Sequence, residues 1–116
     1  MPGGREVDVI RARLGDFTGL GRLHSTLTEE EKSRAAGYRF EETRGAFTLA
    51  RGLLRLELGR RLGVEPRDIR FGIRPSGKPE VRRLEGTGPD WRFSVSHTGP
   101  HVVIAFASGA DVGIDI

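Results

Sequence analysis

The sequence predicts an α+β fold, two helices packed on a mostly antiparallel sheet. Three observations carry this reading. Apolar residues recur at three and four through 42–62, the mark of an amphipathic helix. Period-two alternation appears at 5–14, 69–73 and 91–95, on both sides of that helix. A short β-branched apolar run, Val102 to Phe106, reads as a buried strand. Strand, helices, then several strands is the order of an α+β domain.

Taken in order, Val7 and Val9 alternate with Glu6 and Asp8, so 5–14 is the first strand. Residues 15–24 hold three glycines and read as a loop. Thr28-Glu29-Glu30-Glu31 is a capping-box pattern, with Thr28 as N-cap, Glu31 at N3 and Leu27 as a hydrophobic staple. A short helix should run from there to about Gly37, with acids in its first turn and Lys32 and Arg34 later, as the helix dipole favours.

The long helix, 42–62, buries Ala46, Phe47, Ala50, Leu53, Leu54, Leu58 and Leu62 and is closed by Gly63. At 100° per residue, Arg44, Arg51 and Arg55 form a stripe beside that apolar face, with Thr48 close by. Two readings stand. The arginines lay their stems along the core edge with their heads in water, or the stripe faces an anion.

After a turn at 64–68, Ile69, Phe71 and Ile73 form a strand, and 81–84 its return across the turn Pro75-Ser76-Gly77-Lys78-Pro79. Lys78 is held between Gly77 and Pro79, so its ammonium can be aimed. The loop 85–90 leads to Trp91, where Phe93 and Val95 alternate with Arg92 and Ser94. Ser96-His97-Thr98-Gly99-Pro100 is expected to be a polar loop carrying two hydroxyls and an imidazole. Val112 to Ile116 reads as a last strand with one acid, Asp115, among apolar neighbours. Such an acid needs a partner, and a metal ion is one.

At 116 residues the chain is one domain at most. It has no run of 18 apolar residues and no apolar segment at its polar, Gly-rich start, so neither a membrane span nor a secretory signal is expected. With no cysteine there is no disulfide, thiolate metal site or cysteine nucleophile. The expected location is cytoplasmic. Seventeen arginines face two lysines, and a net charge of +3 is mild. Arginine suits bidentate contacts to phosphate or carboxylate, although codon bias with solvated arginines gives the same count. Phosphate-loop, dinucleotide and His-x-x-x-His metal patterns are absent. A Ser96–His97–Asp115 hydrolase is disfavoured, because neighbours in an extended segment point apart.

Five blocks carry a resemblance: Leu27 to Ala35; Ala50-Arg51-Gly52-Leu53-Leu54-Arg55; Ile69-Arg70-Phe71 with Ser76-Gly77-Lys78-Pro79; Phe93-Ser94-Val95-Ser96-His97-Thr98; and Val112-Gly113-Ile114-Asp115-Ile116. In that order and with those gaps, the sequence resembles Sfp-type 4′-phosphopantetheinyl transferases, of the holo-acyl-carrier-protein synthase superfamily. Gly-Lys-Pro, Ser-His and Gly-Ile-Asp are the specific elements. The resemblance implies one half of a pseudo-dimeric fold, with 1–116 the N-terminal half-domain. It implies transfer of phosphopantetheine from coenzyme A to a serine of an acyl or peptidyl carrier protein, with Mg²⁺. Asp115 matches the first magnesium carboxylate and, with His97, is the catalytic assignment. Lys78, Ser96, His97, Arg51 and Arg34 match or neighbour coenzyme A contacts.

Departures accompany the match. The family's glutamate after Gly-Ile-Asp-Ile and its later Trp-x-x-Lys-Glu-Ala block do not occur in this sequence. The chain is therefore expected to be inactive alone. Val102–Phe106 and Val112–Ile116 are expected to pack near the other half of the enzyme, or in a homodimer imitating it. Neither nucleic acid nor membrane is an expected partner. The alternative is an Arg-rich, non-catalytic α+β module that binds anions or nucleic acid. It would place aromatics on an exposed sheet face, whereas Phe71, Phe93 and Phe106 fall on apolar alternation.

Overall fold

The computed structural model describes residues 7–16, 19–73, 75, 79–81 and 91–108. Its elements are β1 (Val7–Arg13), α1 (Leu20–Ser25), α2 (Glu29–Gly37), α3 (Glu41–Leu62), β2 (Phe71–Ile73), β3 (Pro79–Val81), β4 (Trp91–Thr98) and β5 (His101–Ser108). The α+β class and the antiparallel pairing agree with the sequence reading. Three helices are present among the described residues rather than two.

The main sheet has the order β1-β5-β4, and β2 and β3 form a separate hairpin. The β-branched run became the central strand. Val102, Ile104 and Phe106 pair with Ala12, Ile10 and Asp8 on one side and with His97, Val95 and Phe93 on the other. Those three β5 residues are at most 1% exposed and meet Leu49, Leu54 and Leu58 of α3 in the core. Val102, Ile104 and Phe106 thus fill this chain's own core, while Val103 is half-buried on the opposite face of the sheet. The exposed valines are Val7 and Val9 on β1, which the pleat turns to the opposite face of the sheet.

The long helix ends as expected, at Gly63 with φ 70°. Its apolar stripe is buried through Ala46, Leu49, Ala50, Leu54 and Leu58. Arg61 ties this end to β1, donating to Asp8 (2.8 Å) and Glu57 (2.6 Å) while lying over the Trp91 and Phe106 rings.

Two expectations need correction. The glycine-rich segment 15–24, read as a loop, contains α1, whose Leu23 is buried. Gly21 within it weakens intrinsic helix propensity, but seating Leu23 in the core overrides that. The close approach is made at Gly52, where a Cβ would stand 2.6 Å from Leu23 Cβ. The polar loop expected at 96–100 is mostly strand. β4 continues through Thr98, and only Gly99 and Pro100 turn the chain. Gly99 has φ 56° at the first central position, as a type II′ hairpin requires.

Candidate functional site

The site begins with the cap of α2. The Thr28 hydroxyl accepts from the Glu31 N–H (3.2 Å), and Thr28 N–H donates to Glu31 Oε1 (3.0 Å), the reciprocal box read from the sequence. This folds the Glu31 side chain back toward α3. There Arg55 Nε donates to Oε1 (2.7 Å) and Nη2 to Oε2 (2.9 Å), a bidentate grip. Arg55 Nη1 donates to the carbonyls of Pro66 and Ile69, both at 2.8 Å. Arg51 Nη1 completes the set at Glu31 Oε2, 2.7 Å away.

Glu31 and Arg55 are 7% and 3% exposed, so this is a buried ion pair. Burial alone would push the Glu31 carboxyl up. Hydrogen bonds from Arg55, Thr28 and Arg51, with the Arg55 charge, outweigh it and hold the group below the ordinary glutamate value.

Cations and rings alternate along this wall. The Arg34 and Arg51 guanidinium groups lie 4.9 and 5.5 Å from the centre of the Phe47 ring. Arg51 and Arg55 lie 4.9 and 5.0 Å from that of Phe71. Phe71 in turn meets Phe93 of β4 edge-on, with centroids 5.7 Å apart. The wall opens on a cleft of about 430 Å³. Arg34, Arg51, Arg55 and Arg70 line it against only Glu30 and Glu31, an excess of two positive charges. Such a site attracts an anion, and its arginines offer the planar donor forks that match phosphate.

The predicted arginine stripe therefore divides. Arg44 donates to the carbonyls of Tyr38 (2.8 Å) and Arg39 (3.2 Å), holding the α2–α3 connection. Arg55 is buried with four of its five N–H donors engaged, contrary to a head in water. Arg51 is partly exposed and faces the cleft.

Of the other candidates, Arg34 joins Arg51 in the cleft, as the sequence allowed. Ser96 and His97 sit on β4, not in a loop. His97 pairs with Val102 and so lies on the helix side of the sheet, while Ser96 pairs with Val103 on the other side. His97 is exposed and does not line the arginine cleft. Its row, Phe93–Val95–His97, leads away from Phe71 by roughly 13 Å along the strand. Lys78 and Asp115 lie outside the described residues. Among the described residues, no group of three His, Asp or Glu side chains could hold a metal ion.

Sequence reasoning missed the roles of Glu31, Arg70 and Phe71 in this cleft, and for Arg55 it did not foresee the buried grip on Glu31. Glu31 had a visible signal, its place in the capping box, but its partners are 20 and 24 residues away.

An arginine-lined, net-cationic cleft on this α+β frame has the chemistry to receive an anion, and the chain's relatives say which family carries it. Residues 18–109 match the family described as 4′-phosphopantetheinyl transferase, N-terminal, and the chain belongs to that family. It is 37% identical over 98 residues to the 4′-phosphopantetheinyl transferase HetI of Nostoc sp., covering 84% of this chain and 40% of that protein. It is 32% identical over 95 residues to the 4′-phosphopantetheinyl transferase Sfp of Bacillus subtilis, covering 82% and 40%. The chain thus spans about two-fifths of the length of these relatives.

Among solved structures, its fold is similar to a holo-(acyl-carrier-protein) synthase from Bacillus anthracis in complex with CoA (3′,5′-ADP). The TM-score is 0.61 at 21% identity, covering 90% of this chain and 94% of that one. The Helicobacter pylori holo-[acyl-carrier-protein] synthase in complex with coenzyme A gives 0.61 at 10% identity, covering 90% and 100%. At these identities the likeness is one of fold.

Proposed function

We propose that the chain is the N-terminal half-domain, 1–116, of an enzyme that moves 4′-phosphopantetheine from coenzyme A to a serine of an acyl or peptidyl carrier protein. The observation that carries this reading is the arginine cleft, cationic by two charges, on a chain of the transferase family. In the reaction the carrier serine oxygen bonds to the pantetheine-bearing phosphorus, the pyrophosphate P–O bond breaks, and adenosine 3′,5′-bisphosphate leaves. The serine proton passes to a base or to solvent. The nucleophile belongs to the partner, so the work of this chain is to bind and orient phosphate.

Arg34 and Arg51 are assigned to coenzyme A phosphates, supported by their shared place beside Phe47. Lys78 and His97 are assigned to phosphate on the motifs Gly-Lys-Pro and Ser-His. Ser96 rests on the same motif, with its side chain on the other face of the sheet from His97. Asp115 is assigned to Mg²⁺ on the motif Gly-Ile-Asp alone. When bound, Mg²⁺ would neutralise charge developing on the phosphate oxygens. The remaining assignments are a cytoplasmic location and completion of the cleft by a C-terminal half or by a second copy. Exposed Val7 and Val9 on the outer face of β1 support a protein-covered face. No helix among the described residues is long and apolar enough to cross a membrane.

An anion- or nucleic-acid-binding module is the second reading. The strand aromatics do not favour it, since Phe106 is fully buried and Phe71 packs edge-on against Phe93. Thermal shift with coenzyme A and with single-stranded DNA separates the two. Stabilisation by coenzyme A alone, reduced in Lys78→Ala and His97→Ala, is expected. Stabilisation by DNA alone would replace the transferase reading.

A further inference from the structure

The cleft contains a residue whose place in the geometry goes beyond capping. Glu31 accepts four hydrogen bonds, one from Thr28 N–H, two from Arg55 and one from Arg51. Four fills the acceptor capacity of a carboxylate. Arg55 matches the Glu31 charge with a bidentate grip and spends Nη1 on two carbonyls, so it has little left for a ligand. Arg51 is the opposite case. Only one of its five N–H donors is engaged among the described residues. Its guanidinium lies between the Phe47 and Phe71 rings, beside the open cleft.

We propose that Glu31 is the positioning residue of the anion cleft: its buried carboxylate anchors one edge of Arg51 and leaves the other donors aimed at a ligand phosphate. Because Arg55 already balances Glu31, Arg51 keeps its net positive charge for that ligand. The same carboxylate pins α2 to α3, which sets Arg34 and Arg51 beside the one Phe47 ring. A guanidinium held at one edge and stacked on two rings loses little freedom when phosphate arrives, and this pre-organisation is what favours binding.

This inference rests on the coenzyme A reading for its ligand, and a double-mutant cycle tests it. Coenzyme A is titrated calorimetrically into the unmodified chain, Glu31→Gln, Arg51→Ala and the double variant. Glutamine keeps the capping-box acceptor but loses the charge and an acceptor that Arg51 uses. Glu31→Gln is expected to weaken binding about tenfold when Arg51 is present and less than twofold when it is alanine. An equal loss in both backgrounds means that Glu31 acts only through the fold, and no loss means that it has no part in binding. Either overturns the proposal. If Glu31→Gln lacks a cooperative melt, Glu31→Asp takes its place, keeping the charge but withdrawing the carboxylate by one methylene, with the same coupling expected. If the unmodified chain does not bind coenzyme A, the cycle is run with inorganic pyrophosphate. Coupling there retains the Glu31 inference while the coenzyme A reading falls, and binding of neither probe overturns both.

Discussion

Arg55 holds Glu31 by two hydrogen bonds, of 2.7 and 2.9 Å, across the buried seam between α3 and α2. Removing one partner of a buried ion pair leaves the other charge uncompensated, which costs roughly 3–5 kcal/mol. Arg55→Met is therefore expected to lose stability on that scale in urea unfolding. Arg51→Met, at the partly exposed edge of the cluster, should lose about 1 kcal/mol or less. Equal losses would contradict the division of labour between the two arginines.

Glu31 also makes stability depend on pH. Its folded carboxyl lies below the ordinary 4.5 of a glutamate, because the arginine and Thr28 hydrogen bonds outweigh burial. The stabilisation is complete above that value and is lost as the pH falls through the lower folded value. The gap in melting temperature between the unmodified chain and Glu31→Gln should be widest at neutral pH. It should narrow as the pH falls below 4.5 and through the lower folded value. A gap that stays constant or widens in acid would contradict the pairing.

The α1–α3 contact gives a prediction of opposite sense to helix propensity. Alanine at position 52 would favour the helix by about 1 kcal/mol in isolation. Its methyl would instead meet Leu23 Cβ at 2.6 Å and Leu23 Cα at 3.1 Å. Overpacking of this kind costs roughly 1–3 kcal/mol. Gly52→Ala should therefore lower the urea midpoint, and a raised midpoint would show that α1 moves aside freely.

The cap is testable separately. Thr28→Ala removes the acceptor for Glu31 N–H and should cost about 1 kcal/mol. Reduced helicity at unchanged tertiary signal is the expected circular-dichroism result, with no change if the box contributes nothing.

These elements show where sequence is informative. The long helix was legible because its apolar spacing repeats over six turns, and the α2 cap because its hydrogen bonds join residues three apart. The helix α1 was not legible, since its stability lies in Leu23 meeting the core rather than in its own six residues, which follow two glycines and include a third. Ser96, His97 and Thr98 look like a loop, yet they extend β4, an edge strand whose last residues are solvent-exposed and tolerate polar side chains. In the cleft, the stripe on α3 pointed to Arg51 and Arg55. Which of them faces the ligand depends on where α2 docks, and no local spacing encodes that.

The most direct test of the central claim is calorimetric titration of coenzyme A into the unmodified chain and into Arg34→Ala/Arg51→Ala. Charge-assisted hydrogen bonds to phosphate contribute roughly 1.5–3 kcal/mol each. Binding to the unmodified chain, and at least a tenfold weaker constant in the double variant with its melt retained, is the expected result. An unchanged constant in the double variant would contradict the assignment of this cleft to coenzyme A.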